Sequence, residues 1–209
     1  MVFFYNTTQA QNFSQAFSLG GSESESTGSI ETDSQGNLYV AGSFANVVDF
    51  DPGTGTSNLT SNGESDIFFA KYNSKGELQW VKQIGGTLTE GVYAMTLDGE
   101  GNLYLSGSFG GTVDFDPGTA TQNLTGGFFI AKYDNSGNYK WAFNINATDG
   151  GAGVLVTDNA NNIYLAGSFS GTNVDFDPGT GSTLLSDTDG LGFYAKYDTD
   201  GNYKWAFIL

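Results

Sequence analysis

The chain of 209 residues contains no histidine, no cysteine and no arginine, and only three prolines. Without His or Cys, the commonest general base, the thiol nucleophile and the usual zinc ligands are missing. All seven positive charges are lysines, set against 23 acidic residues for a formal net charge of −16. Nucleic-acid binding is therefore not expected, because phosphate contacts need a basic surface. No stretch approaches the ~20 consecutive apolar residues of a membrane helix, so membrane insertion is not expected either. The opening "MVFFYNTTQ" has a short apolar run and no basic flank, unlike a secretory signal; export would need a signal absent from this chain. The lack of cysteine leaves the redox compartment open. There is no Gly-X-Ser-X-Gly elbow and no phosphate-cradling glycine loop before a helix, so no enzyme and no required cofactor is expected.

What is present points to strands. Glycine is abundant at 31 residues, aromatics make up 15% and hydrophobics 38%, a balance that suits β-structure joined by tight turns and argues against disorder. The sequence also repeats itself. "GNLYVAGSF" (36–44) returns as "GNLYLSGSF" (101–109) and "NNIYLAGSF" (161–169). "FFAKYNSKGELQWVKQI" (68–84) returns as "FIAKYDNSGNYKWAFNI" (129–145) and "FYAKYDTDGNYKWAFIL" (193–209), with Trp80, Trp141 and Trp205 at one register. Within the second copy, "GVYAMTLD", "NLYLSGSF", "GFFIAKYD" and "YKWAFNI" read as four strands, the first and last pairs joined by Gly-containing hairpin turns. No sustained 3.6-residue period occurs, so helix is not expected.

Four antiparallel strands repeated at this length describe a propeller blade. The predicted fold is all-β, a β-propeller array of four-stranded antiparallel blades, about three and a half per chain. Its parts are a half blade over 1–20, blade one over 21–86, blade two over 87–147 and blade three over 148–209. Gly42, Gly107 and Gly167 are expected where blades crowd together. The runs "GN.Y..G.F" and "F.AKYD..GN..WA" resemble the bacterial SBBP-type β-propeller repeat, a relative of NHL-type blades, over nearly the whole chain. The resemblance implies a secreted or cell-surface bacterial protein and supplies no catalytic residues.

Propellers close with typically four to eight blades. Three and a half blades therefore leave three assemblies open: a closed homo-oligomeric ring such as a dimer, a head-to-tail polymer, or one segment of a longer propeller. Residues 1–20 resemble the third and fourth strands of a blade and are expected to complete one across the junction between chains. The first strand of blade one, "STGSIETD" (26–33), is more polar than its counterparts, as a terminal or partner-facing blade tolerates.

"VDFDPGT" occurs at 48–54, 113–119 and 174–180. Strand alternation puts Asp49 with Asp51, Asp114 with Asp116, and Asp175 with Asp177 on one face ahead of a Pro-Gly turn. Paired carboxylates beside exposed carbonyls are a candidate Ca²⁺ site, although the spacing does not match an EF-hand. The competing reading is a turn: Asp bonds to its own backbone, and Phe50, Phe115 and Phe176 plug the blade packing. Adjacent carboxylates on one strand do not make the facing pair of a glycosidase. Lys71, Lys132 and Lys196, at equivalent "AKY" positions, are expected to lie over an aromatic ring and pair with an Asp. The three Trp, with Tyr139 and Tyr203, are read as packing residues, with sugar stacking as the alternative. Sequons at Asn6, Asn12, Asn58, Asn123 and Asn146 are the number a Thr- and Asn-rich chain produces by chance. The function expected from the sequence is a non-catalytic extracellular structural or interaction module that self-associates through open blade faces. The alternative is a lectin-like propeller binding a glycan.

Overall fold

The computed structural model describes residues 20–21 and 25–209. The half blade expected over 1–20 lies outside the described residues, except for Gly20. The described chain is built entirely of strands and connections: β1 (Gly20–Gly21), β2 (Glu25–Thr32), β3 (Leu38–Phe44), β4 (Val47–Asp49), β5 (Asn58–Thr60), β6 (Asp66–Tyr72), β7 (Leu78–Ile84), β8 (Glu90–Leu97), β9 (Leu103–Asp114), β10 (Asn123–Tyr133), β11 (Tyr139–Ile145), β12 (Asp149–Thr157), β13 (Ile163–Asp175), β14 (Leu184–Asp187), β15 (Gly192–Tyr197) and β16 (Tyr203–Ile208). They form three antiparallel sheets in the orders β2-β3-β6-β7, β8-β9-β10-β11 and β12-β13-β15-β16, with β14 added to β13 and a small sheet β1-β4-β5 beside the first. These are the three repeats, one sheet each. First strands pack on first strands, β2 on β8 and β8 on β12, so the sheets fan outward from a common inner edge. The arrangement is propeller-like, and the described residues form an arc of three blades.

One turn recurs six times. In Asp33–Asn37, Asn73–Glu77, Asp98–Asn102, Asp134–Asn138, Asp158–Asn162 and Asp198–Asn202, the first residue's side chain accepts the backbone N–H groups two and four residues on. An Asp or Asn bonding its own backbone in this way specifies a tight reversal. The fourth residue must take positive φ, which is why it is Gly five times and Asn161 (φ 59°) once. These turns join first to second and third to fourth strands, so all six lie at one rim. The Asp-Phe-Asp-Pro-Gly connections leave from the other rim and double back over the blade, so that the carbonyls of Phe50, Phe115 and Phe176 meet the hydroxyls of Tyr72, Tyr133 and Tyr197 at the turn-side ends of the third strands.

Alternation then sorts the side chains. In β6, Phe69 faces blade two, while Phe68 packs with Phe44 and Phe50 on the opposite side. The junction between blades one and two buries Tyr39, Phe69 and Ile84 against Met95, Leu105 and Tyr133. The next junction buries Tyr104, Ile130 and Phe143 against Leu155, Phe193 and Tyr197. Fully burying each large side chain contributes roughly 1.5–3 kcal/mol, so the junctions hold the array together. The repeat glycines act differently from expectation. A Cβ on Gly42, Gly107 or Gly167 would overlap the carbonyl of Ser26, Gly91 or Gly151, on the paired strand of the same blade. Next to each of those carbonyls the ladder slips by one residue, between Thr27 and Ser29, Val92 and Ala94, and Ala152 and Val154. The crowding therefore comes from a bulge within the blade.

Candidate functional site

The three Asp-Phe-Asp-Pro-Gly loops share one geometry. Asp49 Oδ1 accepts from Asp51 N at 3.0 Å and from Ser57 N at 2.8 Å. Asp114 does the same with Asp116 and Gln122, and Asp175 with Asp177 and Thr183. These bonds hold the Asp49 carboxyl below its ordinary range, that from Ser57 most strongly. Asp175 is also held low, its backbone bonds outweighing its partial burial. The second aspartates, Asp51, Asp116 and Asp177, each accept the N–H two residues on, at 2.7–2.9 Å. The intervening Phe is tied on both sides of its peptide: Phe50 N donates to Ser57 O, and Tyr72 Oη donates to Phe50 O at 3.0 Å. Tyr133 and Tyr197 repeat that bond to Phe115 and Phe176. This is the turn reading with every partner in place. Among the described residues, no group of three or more acidic side chains comes close enough to hold a metal ion. In each loop both aspartates turn a carboxylate oxygen to backbone N–H groups.

All three lysines lie over the expected rings, and Lys71 and Lys132 also pair with an Asp. Lys71, Lys132 and Lys196 place Nζ over the rings of Tyr39, Tyr104 and Tyr164 at 4.8, 5.0 and 4.8 Å. Lys71 lies 3.6 Å from Asp33 and Lys132 3.9 Å from Asp98. The Lys196 ammonium is raised by the Tyr164 hydroxyl and, less strongly, by Asp158. The tryptophans occupy matching places opposite these lysines in the fourth strands.

Blade three differs from the others on its outer face. Phe143 is 9% exposed and Ile145 1%, because blade three covers them. Their counterparts Phe207 and Leu209 are 49% and 71% exposed. Val154, Val156, Tyr194 and Trp205 are exposed on the same face, and Trp205 stacks on Phe207 at 5.1 Å. Together these side chains form an apolar surface across the sheet.

Two buried carboxylates escaped the reading of the sequence. Asp66, fully buried, accepts from Asn62 N, Asn62 Nδ2 and Gln83 Nε2. Glu90, also buried, accepts from Gly86 N through Oε2, while its Oε1 has no partner. Burial, with the Asp66 charge nearby, pushes the Glu90 carboxyl up to about 7. Asp66 has Gly127 and Leu191 at its place in the other blades, and Glu90 shares its position with Glu25 of blade one but with Gly150 in blade three.

No family model matches the chain. It is 28% identical over 213 aligned residues to an uncharacterized WD repeat-containing protein of Acanthamoeba polyphaga mimivirus, covering 84% of this chain and 15% of that protein. It is 27% identical over 125 residues to the regulatory protein FlaEY of Caulobacter vibrioides, covering 59% of this chain and 13% of that protein. The chain thus spans less than a sixth of either relative. A crystal structure of a protein of unknown function from Bacteroides caccae aligns over 88% of this chain and 82% of its own, at 11% identity and a TM-score of 0.27. The likeness to a WD-repeat protein agrees with a repeat protein of propeller type.

Proposed function

We propose that the chain is a non-catalytic interaction module of SBBP-type propeller blades, working outside the cell, whose blade-three face receives a further blade. The exposed Phe207–Leu209 edge carries this reading, because the same positions in blade two are covered by a blade. Exposing such a surface costs on the order of 25 cal/mol per Å², a strong drive toward association. In the isolated chain a second copy supplies the covering blade, and residues 1–20, which read in sequence as an outer strand pair, take part in it. In a longer protein the next repeat would do so. The absence of His and Cys and the lack of an assembled acidic cluster among the described residues support a binding rather than a catalytic role. In this reading the Asp pairs form turns, and Ca²⁺ at them is the competing proposal.

Light scattering tests the assembly. The expected mass exceeds that of a 22.1 kDa monomer, and Phe207→Glu should return it to the monomer with the fold intact by circular dichroism. A wild-type chain that stays monomeric at high concentration would overturn self-association.

A further inference from the structure

We propose that the cleft between blades one and two, at the rim of hairpin turns, is a binding site for a neutral, hydroxyl-rich small molecule of the saccharide class. The cleft encloses about 530 Å³ between the ends of β2 and β8, with Glu31, Asp33, Tyr39, Lys71, Glu100 and Asn135 among its walls. That volume suits a mono- or disaccharide. This site is independent of the blade-three face.

The neighbouring junction explains what is missing here. There, the turn of blade three inserts Thr199 over blade two. Thr199 O accepts from Lys132 Nζ at 3.1 Å and Trp141 Nε1 at 3.2 Å, while Thr199 Oγ1 meets Lys132 Nζ at 2.8 Å and Tyr104 Oη at 3.4 Å. A carbonyl and a hydroxyl thus serve the Lys132 and Trp141 donors, while the Tyr104 proton goes to Asp98. Asn161 Oδ1 and Thr157 Oγ1 tie the first-strand ends across the same junction. At the junction of blades one and two the corresponding residue is Asn135, which makes none of these bonds; its side chain accepts only from Ser136. The donors remain. Tyr39 is 1% exposed and its Oη has no hydrogen-bond partner among the described residues, whereas Tyr104 and Tyr164 donate to Asp98 and Asp158. Lys71 reaches only the Asp33 carboxylate and the Tyr39 ring.

The chemistry of the walls selects the ligand. Glu31, Asp33, Asp98 and Glu100 outnumber Lys71, which disfavours an anion. An ammonium ligand would meet the carboxylates but could accept nothing from Lys71. Vicinal hydroxyls do both, accepting from Lys71 as Thr199 accepts from Lys132 next door, accepting from the Tyr39 hydroxyl, and donating to the carboxylates. The walls are mostly polar, which favours a polyol over a peptide anchored by apolar side chains.

Backbone-resolved NMR of the full chain tests this with glucose, galactose, mannose, N-acetylglucosamine, lactose and cellobiose as probes, and spermidine as the cationic control. At least one sugar should give saturable shifts at the amides of Gln35, Gly99, Gly101 and Asn135. Tyr39→Phe, which removes a group that has no partner and should melt no lower than the parent, should weaken that binding several-fold. Asn135→Thr, which supplies the residue that fills the next junction, should abolish it. Shifts with spermidine alone, no saturable shift with any sugar, or titrations unchanged in both variants would overturn the proposal.

Discussion

Gly201 lies flat against the indole of Trp141, so close that a Cβ on it would stand 3.2 Å from the ring. Gly137 holds the same relation to Trp80 one junction earlier, at 3.3 Å. Each outer hairpin thus reaches over the blade before it, and its left-handed glycine serves twice, making the reversal and permitting the approach.

Gly201→Ala should therefore destabilise more than a turn glycine alone would. The positive φ of 81° costs about 1–2 kcal/mol for an L-residue, and the indole must also move. A loss of about 1–3 kcal/mol is expected, read as a fall in Tm of roughly 2–10 °C. An unchanged melting curve would contradict the contact.

Thr199→Val should cost about 1–3 kcal/mol, because it removes an acceptor at 2.8 Å from the nearly buried Lys132 ammonium. The matching change at Asn135 to Asp or Ser should move stability by less than about 0.5 kcal/mol. Chemical denaturation of the pair compares the two junctions directly.

Stability should rise as the pH falls from neutrality. The Glu90 carboxyl is pushed up to about 7 from 4.5, so between those values the folded chain holds a proton that the unfolded chain has released. That contribution, on the order of 1–3 kcal/mol, is complete below about pH 4.5 and lost as pH rises through 7. Asp158 and Asp198 act oppositely. Side-chain and backbone bonds from Asn162 hold Asp158 down to about 2, and Lys204 and Asn202 outweigh burial to hold Asp198 there as well. Their support is lost as pH falls below about 4. A stability maximum near pH 4.5–5 is expected, and Glu90→Gln should flatten the limb between 5 and 7 while leaving the acid limb unchanged.

EDTA should leave the melting temperature unchanged if the Asp pairs only form turns. Asp114→Ala should cost about 1–3 kcal/mol, since two amides lose their acceptor. Asp116→Ala, which frees one exposed amide, should cost about half as much or less. A chelator-dependent fall in Tm would assign Ca²⁺ to the loops instead.

The blades, their four-strand pattern and the hairpin turns were legible because they are written three times over, with Trp80, Trp141 and Trp205 marking the register. The lysine–tyrosine pairs were legible for the same reason, since "AKY" and the second-strand Tyr recur together. What escaped is whatever occurs once. Asn135 and Thr199 occupy one turn position, and no periodicity says that the second fills its junction while the first leaves it open. Asp66 breaks the repeat and Glu90 is matched only by Glu25 of blade one, and only the packing of β6 and β8 reveals that both are buried. The aspartates of the Asp-Phe-Asp-Pro-Gly loops pointed to either a metal or a turn, and their hydrogen-bond partners emerge only when the chain folds back eight residues later.

That fold-back has a consequence for how such a repeat can change. In the second blade, Asp114 and Phe115 clasp Gln122, and Tyr133 locks the clasp from the core side. Everything between Pro117 and Thr121 hangs beyond this neck and contributes nothing to the ladder. Register is set by the clasp and the ladder beneath it, so substitutions between Pro117 and Thr121 are expected to leave the pairing of β9 with β10 unchanged. The same clasp closes at Asp49–Ser57 and Asp175–Thr183, so the expectation holds for all three blades.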